Sequence, residues 1–258
     1  MEQIKYSIAI RSKGRYKTIN DKTIKLLKKW DILNENIYIF CPVNEIELYQ
    51  ENCPGINVVD GGNSIVECNN CIIDYFDEGD YIIQTDDDIH FLLELGTDNN
   101  RIKVNNKLRP KNFIDYNLNK LINNGYRLMI EKNAPIWGTY PVCNDFYMND
   151  LTTPTFDLKF LIGRIFGFLN DKSIRTTSKV RDDYEKSILY YIKYGSTIRF
   201  NHISVYADTY VGKGGLAEQR TIDMMSNDVE EMINKYPEYV AEKKNKGRYR
   251  EIRLIKQK

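Results

Sequence analysis

The sequence predicts an α/β fold in which a mostly parallel sheet is flanked by helices, and three observations carry that expectation. Short apolar runs alternate with amphipathic helical segments. The first run, Tyr6 to Ile10, leads into the basic loop RSKGR, and a later one, Tyr81 to Phe91 (YIIQTDDDIHF), runs straight into three aspartates. Alternation of this kind argues for parallel strands joined by helical crossovers, with ligand groups gathered where the strands end.

A chain of 258 residues with 42% hydrophobic content is long enough for one large core. Net charge is +1 from 37 basic and 36 acidic residues, so nothing global marks a nucleic-acid binder. The distribution is uneven: residues 241–258 hold eight Lys or Arg against Glu242 and Glu251, a local +6 that leaves the body at about −5. No apolar run reaches the length of a membrane span, and MEQIKYSIAI lacks the pattern of a signal peptide, so a cytoplasmic protein is expected. The five cysteines, Cys41, Cys53, Cys68, Cys71 and Cys143, suit reduced thiols better than a disulfide framework.

In order, Tyr6 to Ile10 reads as a strand, and the loop after it is either a ligand loop or a basic turn; P-loop spacing is absent. Ile24, Leu27 and Trp30 fall at helical spacing within Asp21 to Trp30. Ile37 to Phe40 and Ile56 to Val59 read as strands, the latter stopping at Asp60-Gly61-Gly62, where Asp60 suits a ribose or base contact or a simple turn. Ser64 to Glu67 matches a capping box and opens a helix to about Phe76, which makes the CNNC pair core sulfur rather than a zinc half-site. Asn69 lies near the apolar edge of that helix and Asn70 further out.

Beyond Leu95, residues 96–110 read as a long polar loop, Asn112 to Asn124 as a helix, and Tyr126 to Glu131 as a strand. Trp137 and Tyr140, in APIWGTYPVCN, suit either ring stacking or core packing. Leu158 to Phe168 and Ser196 to Tyr206 read as strands, the latter holding His202. Between them RDDYEKSILYYIKYG is an amphipathic helix, and its dipole favours ionised carboxylates at Asp182 and Asp183 in the first turn, where capping is the ordinary alternative. Lys213, in VGKGGL, suits a lid over a diphosphate. Thr221 onward reads as a helical segment and a basic tail.

Period-2 alternation places Asp86 and Asp88 on one face and Asp87 on the other. Two carboxylates held that close repel unless a cation neutralises them, and the pair suits Mg²⁺ or Mn²⁺. An acidic surface loop is the alternative.

Taken together, RSKGR, DGG, NN, DDD, RDD and the late His202 with GKGG resemble the GT-A glycosyltransferases, and within them most closely the phage and TET/JBP-associated DNA glycosyltransferases. The resemblance covers roughly residues 5 to 215. It implies a nucleotide-sugar-binding half at 1–95, an acceptor and catalytic half at 96–220, and a C-terminal segment at 221–258. It further implies that Asp86 and Asp88, with His202, hold Mn²⁺ or Mg²⁺. Arg11, Ser12, Arg15, Asp60, Asn69, Asn70, Asp86, Asp87 and Lys213 would bind the donor, a UDP-sugar foremost, and Asp183 would be the general base of an inverting transfer. Trp137, Tyr140 and Asp182 would contact the acceptor, a hydroxymethylated pyrimidine in DNA gripped by the basic tail and by Lys172, Arg175, Lys179 and Arg181. The same chemistry on an envelope polysaccharide or protein is the alternative, and a non-catalytic nucleic-acid-binding protein is a third.

Overall fold

The computed structural model describes residues 4–96, 113–148, 154–161, 164–207, 221–244 and 250–257. In chain order the sheet strands and helices are β1 (Ser7–Arg11), α1 (Thr23–Lys29), β2 (Ile37–Cys41), α2 (Ile46–Asn52), β3 (Asn57–Asp60), α3 (Ile65–Tyr75), β4 (Tyr81–Asp86), β5 (Ile89–Leu95) and β6 (Phe113–Asp115). There follow α4 (Leu118–Lys132), β7 (Ile136–Tyr140), β8 (Ile165–Leu169), α5 (Asp182–Tyr194), β9 (Ile198–Ala207), α6 (Ile222–Lys235), β10 (Val240–Lys243) and β11 (Glu251–Leu254).

The fold is α/β. One nine-stranded sheet has the order β3-β2-β1-β4-β8-β7-β9-β5-β6, and only β5 and β8 run against the other strands. The carboxyl ends of β1, β2, β3, β4, β7 and β9 therefore share one edge with the starts of β5 and β8. Apolar side chains cover both faces, as a sheet buried on both sides requires. Ile8, Ile10 and Ile83 pack towards α1 and α4, while Ala9, Ile82, Phe166 and Phe168 pack towards α3 and α5.

The capping box forms as expected: Ser64 Oγ accepts from Glu67 N at 3.2 Å, and the Glu67 carboxylate accepts from Ser64 N. All five cysteines are free thiols. Helix α2, between β2 and β3, completes a crossover that the sequence reading left without a helix.

Four assignments differ. Tyr126 to Glu131 is not a strand but the second half of α4, whose buried Leu118, Leu121, Ile122, Gly125, Leu128 and Met129 recur at helical spacing. The expected helix at Asn112 to Asn124 starts only at Leu118, after the edge strand β6, with Asn117 accepting from Lys120 N as cap. Of the expected strand Leu158 to Phe168, the described residues form a strand from Ile165. The C-terminal basic stretch, where described, is no loose tail: β10 and β11 form an antiparallel hairpin whose Val240 and Ile252 pack with Val229 and Met232 of α6. The polar loop expected at 96–110 lies almost wholly outside the described residues, and no helix among those described is long and apolar enough to cross a membrane.

Trp137 is the largest fully buried side chain and is core, not an acceptor platform. Its Nε1 donates to Tyr81 Oη at 2.7 Å, and Tyr81 in turn donates to the Ile122 carbonyl at 2.9 Å. Gly125 and Gly167 make room for the indole from two sides, and a Cβ on either would overlap it. Alanine at either site should therefore destabilise the fold by about 1–3 kcal/mol, as overpacking does, even though alanine favours the helix at 125. Urea unfolding of Gly125→Ala and Gly167→Ala checks this; midpoints equal to wild type would mean the indole moves freely.

Candidate functional site

Asp86 ends β4 beside Arg11, the last residue of β1 and its partner in the parallel ladder. The strand alternation that put Asp86 on the α3 and α5 side of the sheet puts Asp87 on the opposite side. There a two-residue turn at Asp87 and Asp88 leads directly into β5. Thr23 braces this turn, donating from Oγ1 to the Asp86 carbonyl at 2.8 Å and accepting from Ile89 N at 3.0 Å.

Two arginines divide the aspartates between them. Arg11 donates to Asp86 Oδ1 at 2.7 Å through NH2, and to Asp182 Oδ2 at 2.8 Å through NH1. One guanidinium thus joins the strand-end aspartates to the start of α5. Asn69 closes the group: its Nδ2 donates to the same Asp182 oxygen at 2.9 Å, and its Oδ1 accepts from Arg11 at 3.3 Å and from Gln84 Nε2 at 2.8 Å. Gln84 Oε1 accepts from Lys186 Nζ at 2.9 Å, one helical turn along α5 from Asp182.

On the other side Arg15 NH1 donates to Asp87 Oδ1 at 2.6 Å and to Asp88 Oδ2 at 3.0 Å. Asp88 therefore shares its arginine with Asp87, not with Asp86 as uninterrupted alternation would have it, because the turn breaks the strand period. Ser12 is buried; its hydroxyl donates to Asp87 and lies 2.5 Å from Tyr49 Oη. Gly14 N donates to Glu45 at 2.7 Å and Lys13 to the Asn63 carbonyl at 2.8 Å, so the basic loop is fastened at several points. Gly14 has φ 70°, a conformation that glycine adopts without strain.

The electrostatics are those of crowded, buried carboxylates. Burial pushes Asp88 up to about 6, with Asp86 and Asp87 adding to it. Asp87 is raised by burial too, against the pull of Arg15. For Arg11 burial alone would lower the pKa, but Asp86, Asp182 and Asp183 together raise it. Asp183 is half-buried, next to Asp182 in the first turn of α5.

The remaining expected residues scatter. Asp60 is exposed at the end of β3 and accepts from Gly62 N at 2.9 Å, a local turn. Asn70 donates to the Thr176 carbonyl at 3.2 Å. Tyr140 ends β7 at the shared edge, its hydroxyl donating to the Tyr147 carbonyl at 2.9 Å and its ring beneath Arg199. His202 is not brought to the aspartates. Ala207 pairs with Ile89, and His202 lies five residues back along β9, roughly 17 Å away at strand rise, with Nε2 3.8 Å from Glu94 Oε1 and ring contacts to Tyr116 and Phe200. Lys213 lies outside the described residues.

Of the basic residues expected to grip DNA, Arg181 is buried against Asp228 at 3.0 Å, and Arg175 pairs with Asp74 at 2.5 Å. In the hairpin, Arg250 pairs with Glu230 at 2.5 Å and Glu242 at 2.9 Å. Sequence reasoning missed Gln84, Lys186, Tyr49 and Thr23. A glutamine amid the apolar residues of YIIQTD and a lysine on the apolar side of α5 were the available signals, since buried polar groups demand partners.

No family model and no curated protein matches the sequence. Among solved structures, the chain is similar to the crystal structure of S. aureus TarS 1–349, at 11% identity and TM-score 0.49, over 89% of this chain and 66% of that one. The same protein in complex with UDP matches at 10% identity and TM-score 0.49, over 89% and 66% of the two chains. A 4-diphosphocytidyl-2C-methyl-D-erythritol synthase from Anaerococcus prevotii matches at 10% identity and TM-score 0.42, over 80% and 94%. The chain thus spans just under two thirds of the TarS chain.

Lys186 gives the site a pH signature. Burial, then Arg11, draws its pKa down from 10.5 to about 7, and Asp182 and Asp183 only partly oppose this. Phe166 and Phe168 lie 5.1 and 4.5 Å from Nζ and favour the charged form. Between pH 7 and 10.5 the unfolded chain binds a proton here that the folded chain does not. Stability therefore rises with pH across that window and is lost as pH falls through about 7. Relative to Lys186→Met, the wild type should gain up to about 1.4 kcal/mol per pH unit in the window. Urea titrations of both proteins at a series of pH values check this; parallel curves would show Lys186 titrating normally.

Proposed function

We propose that the chain is a glycosyltransferase that moves a sugar from a nucleotide sugar, a UDP-sugar foremost, to a hydroxyl acceptor with inversion. The observation that supports this reading is the Arg11 bridge, which joins Asp86 at the end of β4 to Asp182 in the first turn of α5, at one edge of the sheet. A donor held at the first group lies within reach of a base carried by the second.

The donor set suits a hard divalent cation. Asp86, Asp87 and Asp88 crowd one strand end, and burial foremost, with Asp86 and Asp87 adding to it, raises the pKa of Asp88 against the pull of Arg15 and Arg164. Among the described residues no group of three or more His, Cys, Asp or Glu is arranged to hold a metal. A Mg²⁺-type ion needs only one or two carboxylates, since substrate phosphates and waters complete its shell. Asp86 and Asp88 are the residues that would hold Mn²⁺ or Mg²⁺, which when bound supplies charge stabilisation to the departing diphosphate.

Asp183 would take the acceptor proton as the acceptor oxygen bonds to the anomeric carbon. The bond from that carbon to the diphosphate breaks on the opposite face, and the leaving group carries away the electron pair. The helix dipole at the N-terminus of α5 favours the ionised base. Arg15, beside Asp87 and Asp88, is 20% exposed against 10% for Arg11. Support for DNA as the acceptor narrows to residues such as Lys172, Lys179 and the exposed Arg253, because Arg175, Arg181 and Arg250 are engaged within the chain.

The test is to incubate the protein with Mn²⁺ or Mg²⁺ and a panel of nucleotide sugars, offering hydroxymethylated DNA and simple glycosides as acceptors, and to weigh the products. Transfer should vanish in EDTA and in Asp86→Ala. Asp183→Asn should lose about 10²–10⁴-fold in kcat while keeping donor affinity. Near-normal transfer by Asp183→Asn would move the base elsewhere, and no transfer from any donor by the wild type would overturn the reading. Products on glycosides but never on DNA would remove the nucleic-acid acceptor.

A further inference from the structure

We infer that Arg11 is a positioning residue that holds the first turn of α5, and with it Asp183, against the strand-end aspartates, and is not a ligand of the donor. The inference deepens the proposed function and rests on Asp183 as its base. The Arg11 side chain is 10% exposed and both terminal nitrogens of its fork are engaged, NH2 on Asp86 and NH1 on Asp182 and Asn69. A donor-binding arginine needs a fork aimed at phosphate. This one spans two carboxylates, a task that suits a planar guanidinium and not an ammonium.

The bridge is one side of a closed ring. From Arg11 it passes through Asp182 into α5, leaves the helix at Lys186, crosses to Gln84 on β4, and returns through Asn69 of α3 to Arg11. Asp182 and Lys186 stand one helical turn apart on the same face. Tying both to the sheet fixes the rotation and height of that turn. Asp183 lies between them in sequence, so its direction follows from theirs. Four elements distant in sequence thus set the placement of one carboxylate, with Arg11 the member that also touches the DDD motif.

Two measurements test this on Arg11→Met, Arg11→Lys and the double variant Arg11→Met/Asp182→Asn, which removes the buried carboxylate together with its partner and so guards against simple misfolding. Amide hydrogen exchange should accelerate at least about tenfold across residues 182–186 in all three, with β4 still protected. In steady-state kinetics kcat should fall about 10²-fold, the scale expected of a misplaced catalytic group, while the donor KM stays within about threefold. Unchanged exchange in α5 would overturn the inference. So would a donor KM that rises with kcat intact, the mark of a direct ligand, or an Arg11→Lys protein equal to wild type, which would leave only charge to explain the residue. If the wild type transfers no sugar at all, the glycosyltransferase reading fails, and the exchange data still decide whether Arg11 holds the helix.

Discussion

The site depends on compensating carboxylates that the fold crowds together at the end of a sheet. Placing Asp86, Asp87 and Asp88 where β4 turns into β5 puts like charges within a few residues of one another, and Asp182 joins them from a distant helix. Each arginine is placed to serve two carboxylates, so each guanidinium also becomes a structural tie. Burial makes the arrangement stringent: removing one member of a buried pair typically costs about 3–5 kcal/mol, because the other is left uncompensated. The remaining negative charge on the triplet is what a cation or a further basic group would meet.

Strand alternation divides this arrangement into two functions. Asp86 faces α3 and α5 and belongs with Arg11, Asn69 and Asp182. Asp87 faces the other way and fastens the basic loop through Ser12 and Arg15, with Tyr49 of α2 behind it. One triplet therefore orders a loop on one side of the sheet and a helix on the other, and only its third member, drawn into the turn, departs from the alternation.

Much of this was legible in the chain. The alternating pattern, the capping box at Ser64 and the placement of DDD at a strand end follow from rules that act within a few residues. The oddity of an inward Asn69 was visible as well, but not its reason, since its partners Arg11, Gln84 and Asp182 lie on three other elements. The failures share that character. Trp137 could be read as core or platform until the space left by Gly125 and Gly167 was known. His202 shares a strand with residues near the site, and only the antiparallel register with β5 shows that it lies mid-strand, beside the far end of β5. In Tyr126 to Glu131 the local pattern allowed a strand, and the continuous buried stripe of α4 decided for a helix.

The C-terminal segment changes meaning in the same light. A run of basic residues suggests a solvated arm, yet the described part of it folds back as a hairpin against α6 and reaches α5. Arg181, just before α5, donates to the Arg250 carbonyl at 2.8 Å and pairs with Asp228 of α6. Glu185, one turn on, receives Lys235 at 2.7 Å and Tyr236 at 2.8 Å, with the Thr177 and Ser178 amides. Asp182 and Lys186 bind the sheet on one face of α5, while Arg181 and Glu185 bind α6 and its flanks on another. A base has to be held within a fraction of an ångström of its productive position, and a helix gripped on two faces through its first turn meets that demand where one packed on a single face would not. Under the proposed function, the hairpin that packs on α6 and α5 would in this sense help to aim Asp183.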